Sequence, residues 1–186
     1  GVLLLDFIAR TRKKQGTLPQ DPLAIKTIVS TDLTDVVAKS YGIGLIQVLT
    51  GFKYIGDQIA ALEKVGQESR YVFGFEESYG YLSGTYVRDK DAVNASMLLC
   101  EMAADCKRRG LTLLDEMEAL YQKHGYFLNA LLNFTFEGEN GMYRMRGIME
   151  NLRKQPPEKL GGAAVTGWSD YQTSVRYDGE AATEIA

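Results

Sequence analysis

Ala24-Ile25-Lys26-Thr27-Ile28-Val29-Ser30 is followed by an amphipathic stretch at 33–41 and then by a second apolar run, Gly44-Leu45-Ile46-Gln47-Val48-Leu49. Short runs rich in Ile and Val on either side of a helical pattern give the rhythm of a strand–helix–strand unit. A third run, Arg70-Tyr71-Val72-Phe73-Gly74-Phe75, and helical patterns at 2–14 and 53–65 extend that rhythm. The runs are nearly continuous in apolar residues instead of alternating with polar ones, as expected where helices cover both faces of a parallel sheet. The expected fold is therefore α/β: a three-layer α/β/α domain with a mainly parallel sheet.

Two further helices, 91–109 and 111–123, are separated by Gly110 and would close this domain. After Gly125 the pattern changes. Residues 126–137 read as a strand rich in Phe, Gly138-Glu139-Asn140-Gly141 as a turn, 142–154 as a helix and 162–175 as one or two strands. Residues 1–122 are thus read as the α/β/α domain and 123–186 as part of a small α+β domain. The helix at 2–14 has no strand before it, and the polar stretch 178–184 brings no closing element. Both ends are expected to be cuts, the first domain lacking its first strand and the second being truncated.

With 45% hydrophobic and 24% charged residues, the composition is that of an ordinary globular protein, and no apolar run approaches the ~20 residues needed to span a bilayer. Asp6 interrupts Val2-Leu3-Leu4-Leu5, and the basic cluster of Arg10, Arg12, Lys13 and Lys14 follows the apolar run, the reverse of a secretion signal. The two cysteines, Cys100 and Cys106, fall on different faces of a helical pattern and offer no metal-ligand spacing, which points to a reducing, cytoplasmic compartment. A net charge of -3 gives no general attraction to phosphate backbones, so neither nucleic acid nor membrane is an expected partner. His124, the sole histidine, closes a helical pattern before Gly125, where a cation complements the helix end.

In open parallel sheets ligands bind beyond the carboxyl ends of the strands. Those ends carry Ser30-Thr31-Asp32, Thr50-Gly51-Phe52-Lys53 and Glu76-Glu77-Ser78. Thr31 and Asp32 have a plain alternative role as helix caps. Glutamate is a poor cap, so a Glu-Glu pair at a strand end asks for another use. If the strand continues, Glu76 and Ser78 point one way and Phe75 and Glu77 the other, and a carboxylate beside a hydroxyl can clasp adjacent hydroxyls of a polyol. Arg88 and Lys90 return two cations toward these carboxylates. Arg88 is a permanent charge and Lys90 a proton shuttle if desolvated, whereas a surface ion-pair cluster among Arg88, Asp89, Lys90 and Asp91 is the plainer reading.

Thr50-Gly51-Phe52-Lys53-Tyr54-Ile55-Gly56, Gly74-Phe75-Glu76-Glu77-Ser78-Tyr79-Gly80-Tyr81 and Arg88-Asp89-Lys90-Asp91, with Thr27-Ile28-Val29-Ser30 upstream, closely resemble in order and spacing the third domain of the α-D-phosphohexomutases. The aromatic after Gly51 and Tyr-Gly-Tyr after Ser78 resemble the phosphoglucomutase/phosphomannomutase branch. The likeness covers about residues 1–120, and from 126 onward the chain is more loosely similar to the start of the family's fourth domain. The resemblance implies a four-domain enzyme that interconverts hexose 1-phosphate and hexose 6-phosphate through a bisphosphorylated sugar, using a phosphoserine, Mg2+ and glucose 1,6-bisphosphate as activator or intermediate. It implies that Glu76 and Ser78 hold ring hydroxyls and that Thr50 and Gly51, with Phe52 and Lys53 beside them, line the pocket. By the same likeness Arg88 belongs to the substrate site, and Lys90 serves proton transfer or a phosphate contact. No Ser-His-Asn-Pro, Asp-x-Asp-x-Asp or Ser-Gly-Thr-Glu-Pro type motif occurs here. The expected partners are accordingly a sugar phosphate, domains I and II and the rest of IV. The piece is expected to recognise sugar and to be inactive alone, with no metal ligands of its own. A rival reading is a non-catalytic α/β module that binds a sugar phosphate or a protein partner.

Overall fold

The computed structural model describes residues 1–179 and 181–185. In the first unit, Gly1–Leu131, three strands run parallel: β1 (Leu23–Thr27) lies between β2 (Gly44–Val48) and β3 (Tyr71–Phe75). A two-residue strand the sequence did not announce, β4 (Tyr81–Leu82), pairs antiparallel with β3 and completes the order β2-β1-β3-β4. Around the sheet stand α1 (Val2–Gln15), α2 (Leu33–Ser40), α3 (Phe52–Lys64), α4 (Ala92–Arg108) and α5 (Leu113–His124).

The apolar runs work as the sequence implied, because each central strand supplies both faces. Ala24 joins Leu4, Leu5, Ile8, Phe73 and Met102 on the face covered by α1 and α4, while Ile25 joins Phe52, Ile55, Ile59 and Tyr71 under α3. Burying side chains of this size contributes roughly 1.5–3 kcal/mol each. Three layers result. The pairing of β1 with β3 skips Val72, so Val72 and Phe73 both fall in the α1 cluster and the simple alternation of faces is broken there. Gly56 lets α3 approach the loop before α4, since a Cβ at that position would overlap the Arg88 carbonyl.

Residues 126–137 form neither helix nor strand, contrary to the sequence expectation. Periodicity supplied a strand pattern, but a strand needs a partner edge, and here Tyr126, Leu128, Leu131, Leu132 and Phe134 remain exposed. Within the first unit Phe127 packs beside Leu33 and Leu120, and the Asn129 amide donates to the Val29 carbonyl at 2.9 Å.

The second unit, Leu132–Ala186, contains α6 (Gly138–Lys154), the hairpin of β5 (Lys159–Leu160) and β6 (Ala163–Ala164), and a three-stranded antiparallel sheet. That sheet comprises β7 (Trp168–Asp170), β8 (Val175–Tyr177) and β9 (Ala182–Glu184). The expected turn at 138–141 is instead the start of α6. Gly141 is there for close approach, because its Cβ would lie 2.7 Å from the Phe136 carbonyl carbon. The one or two strands expected over 162–175 are shorter pieces set in antiparallel hairpins. Arg153 on α6 reaches Asp170 on β7 at 2.6 Å, and Trp168 stacks on Tyr177.

Candidate functional site

Because β1, β2 and β3 are parallel, the loops after Thr27, Val48 and Phe75 emerge at one edge of the sheet. The strand geometry stops at Phe75, and residues 77–79 form a turn closed by the Glu76 N–H donating to the Gly80 carbonyl at 3.0 Å. The expected alternation of Glu76 and Ser78 against Glu77 therefore does not hold. Glu76 turns inward and is 4% exposed, while Glu77, Ser78 and Tyr79 face solvent. Ser78 makes no side-chain hydrogen bond among the described residues.

A buried carboxylate is costly unless paired. Lys90 pairs it: its ammonium donates to Glu76 Oε1 at 3.2 Å and lies 5.9 Å from the centre of the Phe52 ring. Gly80 backs the same carboxylate, since a Cβ on it would stand 2.5 Å from Oε1. Among the described residues Glu76 Oε2 accepts nothing. The arrangement offers a spare carboxylate oxygen, a free hydroxyl and a half-exposed ammonium within one loop system.

The structure thus brings Phe52, Glu76 and Lys90 together. Thr50 is exposed in the loop after β2, Gly51 precedes the first residue of α3, and Lys53 is exposed on its first turn. Arg88 is turned elsewhere: its guanidinium pairs with Glu63 on α3 and donates to the Thr85 carbonyl. Asp91 caps α4 by accepting from the Asn94 N–H at 2.9 Å and takes the Tyr86 hydroxyl at 2.6 Å, a bond that holds its carboxyl below the usual range. Arg88, Lys90 and Asp91 therefore pair with Glu63, Glu76 and Tyr86, outside their own cluster.

Three residues at the end of β1 carry more than the sequence reading gave them. Lys26 is wholly buried, and its ammonium reaches Asp35 at 2.6 Å, Asp32 at 3.0 Å and the Thr31 carbonyl at 3.2 Å. Asp32 makes no side-chain cap on α2, and the Thr31 hydroxyl accepts from the Leu33 N–H at 3.3 Å instead. Thr27 and Ser30, both buried, join hydroxyls at 2.9 Å, and Thr27 reaches Glu77 at 2.7 Å. The available signal was a lone lysine within an apolar strand, a residue type seldom buried without partners.

No three His, Cys, Asp or Glu side chains converge as metal ligands among the described residues. No helix among them is long and apolar enough to cross a membrane.

Residues 3–124 match the family described as phosphoglucomutase/phosphomannomutase, alpha/beta/alpha domain III. Phosphoglucomutases of Staphylococcus aureus strains MRSA252 and USA300 are 38% identical over 177 residues, covering 95% of this chain and 31% of theirs. The chain thus spans about a third of the length of these relatives. Among solved structures, the exocytosis-sensitive phosphoprotein pp63/parafusin of Paramecium, a phosphoglucomutase in its open form, is similar with a TM-score of 0.56 and 19% identity, over 98% of this chain and 30% of that one. A Thermus thermophilus protein described as a phosphomannomutase is similar with a TM-score of 0.51 and 24% identity, over 66% of this chain and 25% of that one. At these identities the two structures bear on the fold alone.

Proposed function

Since the chain belongs to the phosphoglucomutase/phosphomannomutase family, with its α/β/α domain III at residues 3–124, we propose that it is the sugar-recognising part of a phosphohexose mutase. The observation that carries this reading is Glu76: a buried carboxylate at a sheet end, paired on Oε1 by Lys90 and with Oε2 free for a hydroxyl donor. Glu76 Oε2 accepts from one ring hydroxyl, and the Ser78 hydroxyl, able to donate and accept, takes its neighbour. O3 and O4 are the pair assigned to them, which leaves the 2-hydroxyl, where glucose and mannose differ, outside the clasp. Lys90 supplies a cation for the sugar's phosphate while orienting Glu76. Thr50, Gly51 and Lys53 line the facing loop. Arg88 braces the loop before α4 against α3 through Glu63.

In the whole protein a serine phosphate passes its phosphoryl group to the free hydroxyl of a hexose monophosphate, and the hydroxyl proton is released. The bisphosphorylated sugar turns over and returns its other phosphoryl group to the serine, leaving the isomeric monophosphate. A magnesium ion would assist at the serine phosphate. The described residues do not fit as its ligand set, so its site is assigned to another part of the longer protein, along with the serine. On this reading the 186-residue chain alone binds sugar phosphate without isomerising it.

Titration of the chain with glucose 1,6-bisphosphate, by calorimetry, tests the clasp. Glu76→Gln is expected to weaken binding by roughly 1.5–3 kcal/mol and Ser78→Ala by roughly 0.5–1.5 kcal/mol, the ordinary worth of charged and neutral hydrogen bonds. Equal affinity in all three proteins would sink the role given to this loop.

A further inference from the structure

We infer that Thr27 is a positioning residue for the sugar clasp, acting through Glu77; this rests on the reading of Glu76 and Ser78 given above. The turn at 77–79 connects β3 to β4 beyond the Phe75–Tyr81 pair, and among the described residues one further backbone hydrogen bond, Glu76 N–H to the Gly80 carbonyl, closes it. Tyr79 within it adopts a left-handed φ of 62°, a conformation a non-glycine residue keeps only where its surroundings impose it. Among the described residues one side-chain tether crosses from the turn to the rest of the sheet: Thr27 Oγ1 to Glu77 Oε2 at 2.7 Å, spanning fifty residues of sequence.

The direction of each bond in this tether is fixed by the donors available. A carboxylate only accepts, so the one hydroxyl hydrogen of Thr27 goes to Glu77. Ser30 must then donate to Thr27 Oγ1 across their 2.9 Å contact. The Ser30 backbone is itself held, its N–H on the Thr27 carbonyl at 3.0 Å and its carbonyl on the Lys26 ammonium at 3.4 Å. Lys26 and Thr27 are wholly buried in the central strand of the parallel trio. The rigid end of β1 thus holds Glu77, and Glu77 lies between the two residues of the clasp. Thr27 touches no sugar; it fixes where the Glu76 and Ser78 oxygens stand relative to each other.

The test compares Thr27→Val, which keeps the shape and removes the hydroxyl, with Thr27→Ser, which keeps the hydroxyl. Affinity for glucose 1,6-bisphosphate and the hydrogen-exchange rate of the Glu76 amide are both measured on the 186-residue chain. Expected for Thr27→Val are roughly 5- to 10-fold weaker binding and faster Glu76 exchange at unchanged melting of the helices, with Thr27→Ser near the parent in both. Glu77→Ala should reproduce Thr27→Val. Parental affinity in Thr27→Val would overturn the inference. If the parent chain itself shows no saturable binding while Thr27→Val still speeds Glu76 exchange, the sugar-recognition reading falls, and Thr27 is left as a structural tether only.

Discussion

Lys26 shows how much a single residue can hold at the end of a strand. Its ammonium is sealed from water, yet its acidic partners are not: the side chains of Asp32 and Asp35 are 75% and 41% exposed. Removing one partner of a fully buried ion pair costs about 3–5 kcal/mol. Here the two carboxylates can rehydrate, so Lys26→Met should cost less, about 1–3 kcal/mol, read as a shift in denaturant midpoint at constant slope. A midpoint equal to the parent's would mean that the lysine contributes nothing net. Glu76 drew notice in the sequence because glutamate is a poor cap and a Glu-Glu pair at a strand end sets like charges together. Lys26 was not legible there, since its partners lie four to nine residues ahead across a loop whose path no local pattern fixes.

The strands and helices of the first unit follow from their residues because each apolar run meets a partner layer. The exceptions are instructive. Residues 126–137 have strand composition without a strand edge, and β4 is a strand of two residues created by the turn that precedes it. Helix α3 carries the clearest sign reversal. Alanine normally stabilises a helix interior by about 0.5–1 kcal/mol over glycine. At Gly56 the added methyl would meet the Arg88 carbonyl backbone, and overpacking costs about 1–3 kcal/mol. Gly56→Ala is therefore expected to be net destabilising, by about 1–2 kcal/mol in thermal or chemical unfolding. A stabilised variant would show that the loop bearing Lys90 yields freely.

At the scale of the whole molecule, the two units have unequal means of stability. The first buries two faces of a sheet, whereas the second, of about 55 residues, has short strands and leaves Met142, Met145, Ile148, Met149 and Leu152 of α6 largely exposed. The composition change after Gly125 was legible; the brevity of its strands was not, because two- and three-residue strands leave no periodicity to read. Arg153 makes the second unit sensitive to acid. Its guanidinium, with Thr173, holds the Asp170 carboxyl down at about 2. A folded-state value below the ordinary carboxylate range means stabilisation that is complete above about pH 4 and is lost as pH falls toward 2. The second unit should weaken across that window in the parent, and Asp170→Asn should flatten the dependence while lowering stability at neutral pH. An unchanged acid profile in Asp170→Asn would exclude the pair as its cause. The stacking of Trp168 on Tyr177 makes this measurable in isolation, for Trp168 is the chain's only tryptophan. Its emission is a spectral window onto the second unit, through which the acid transition there can be followed without a label.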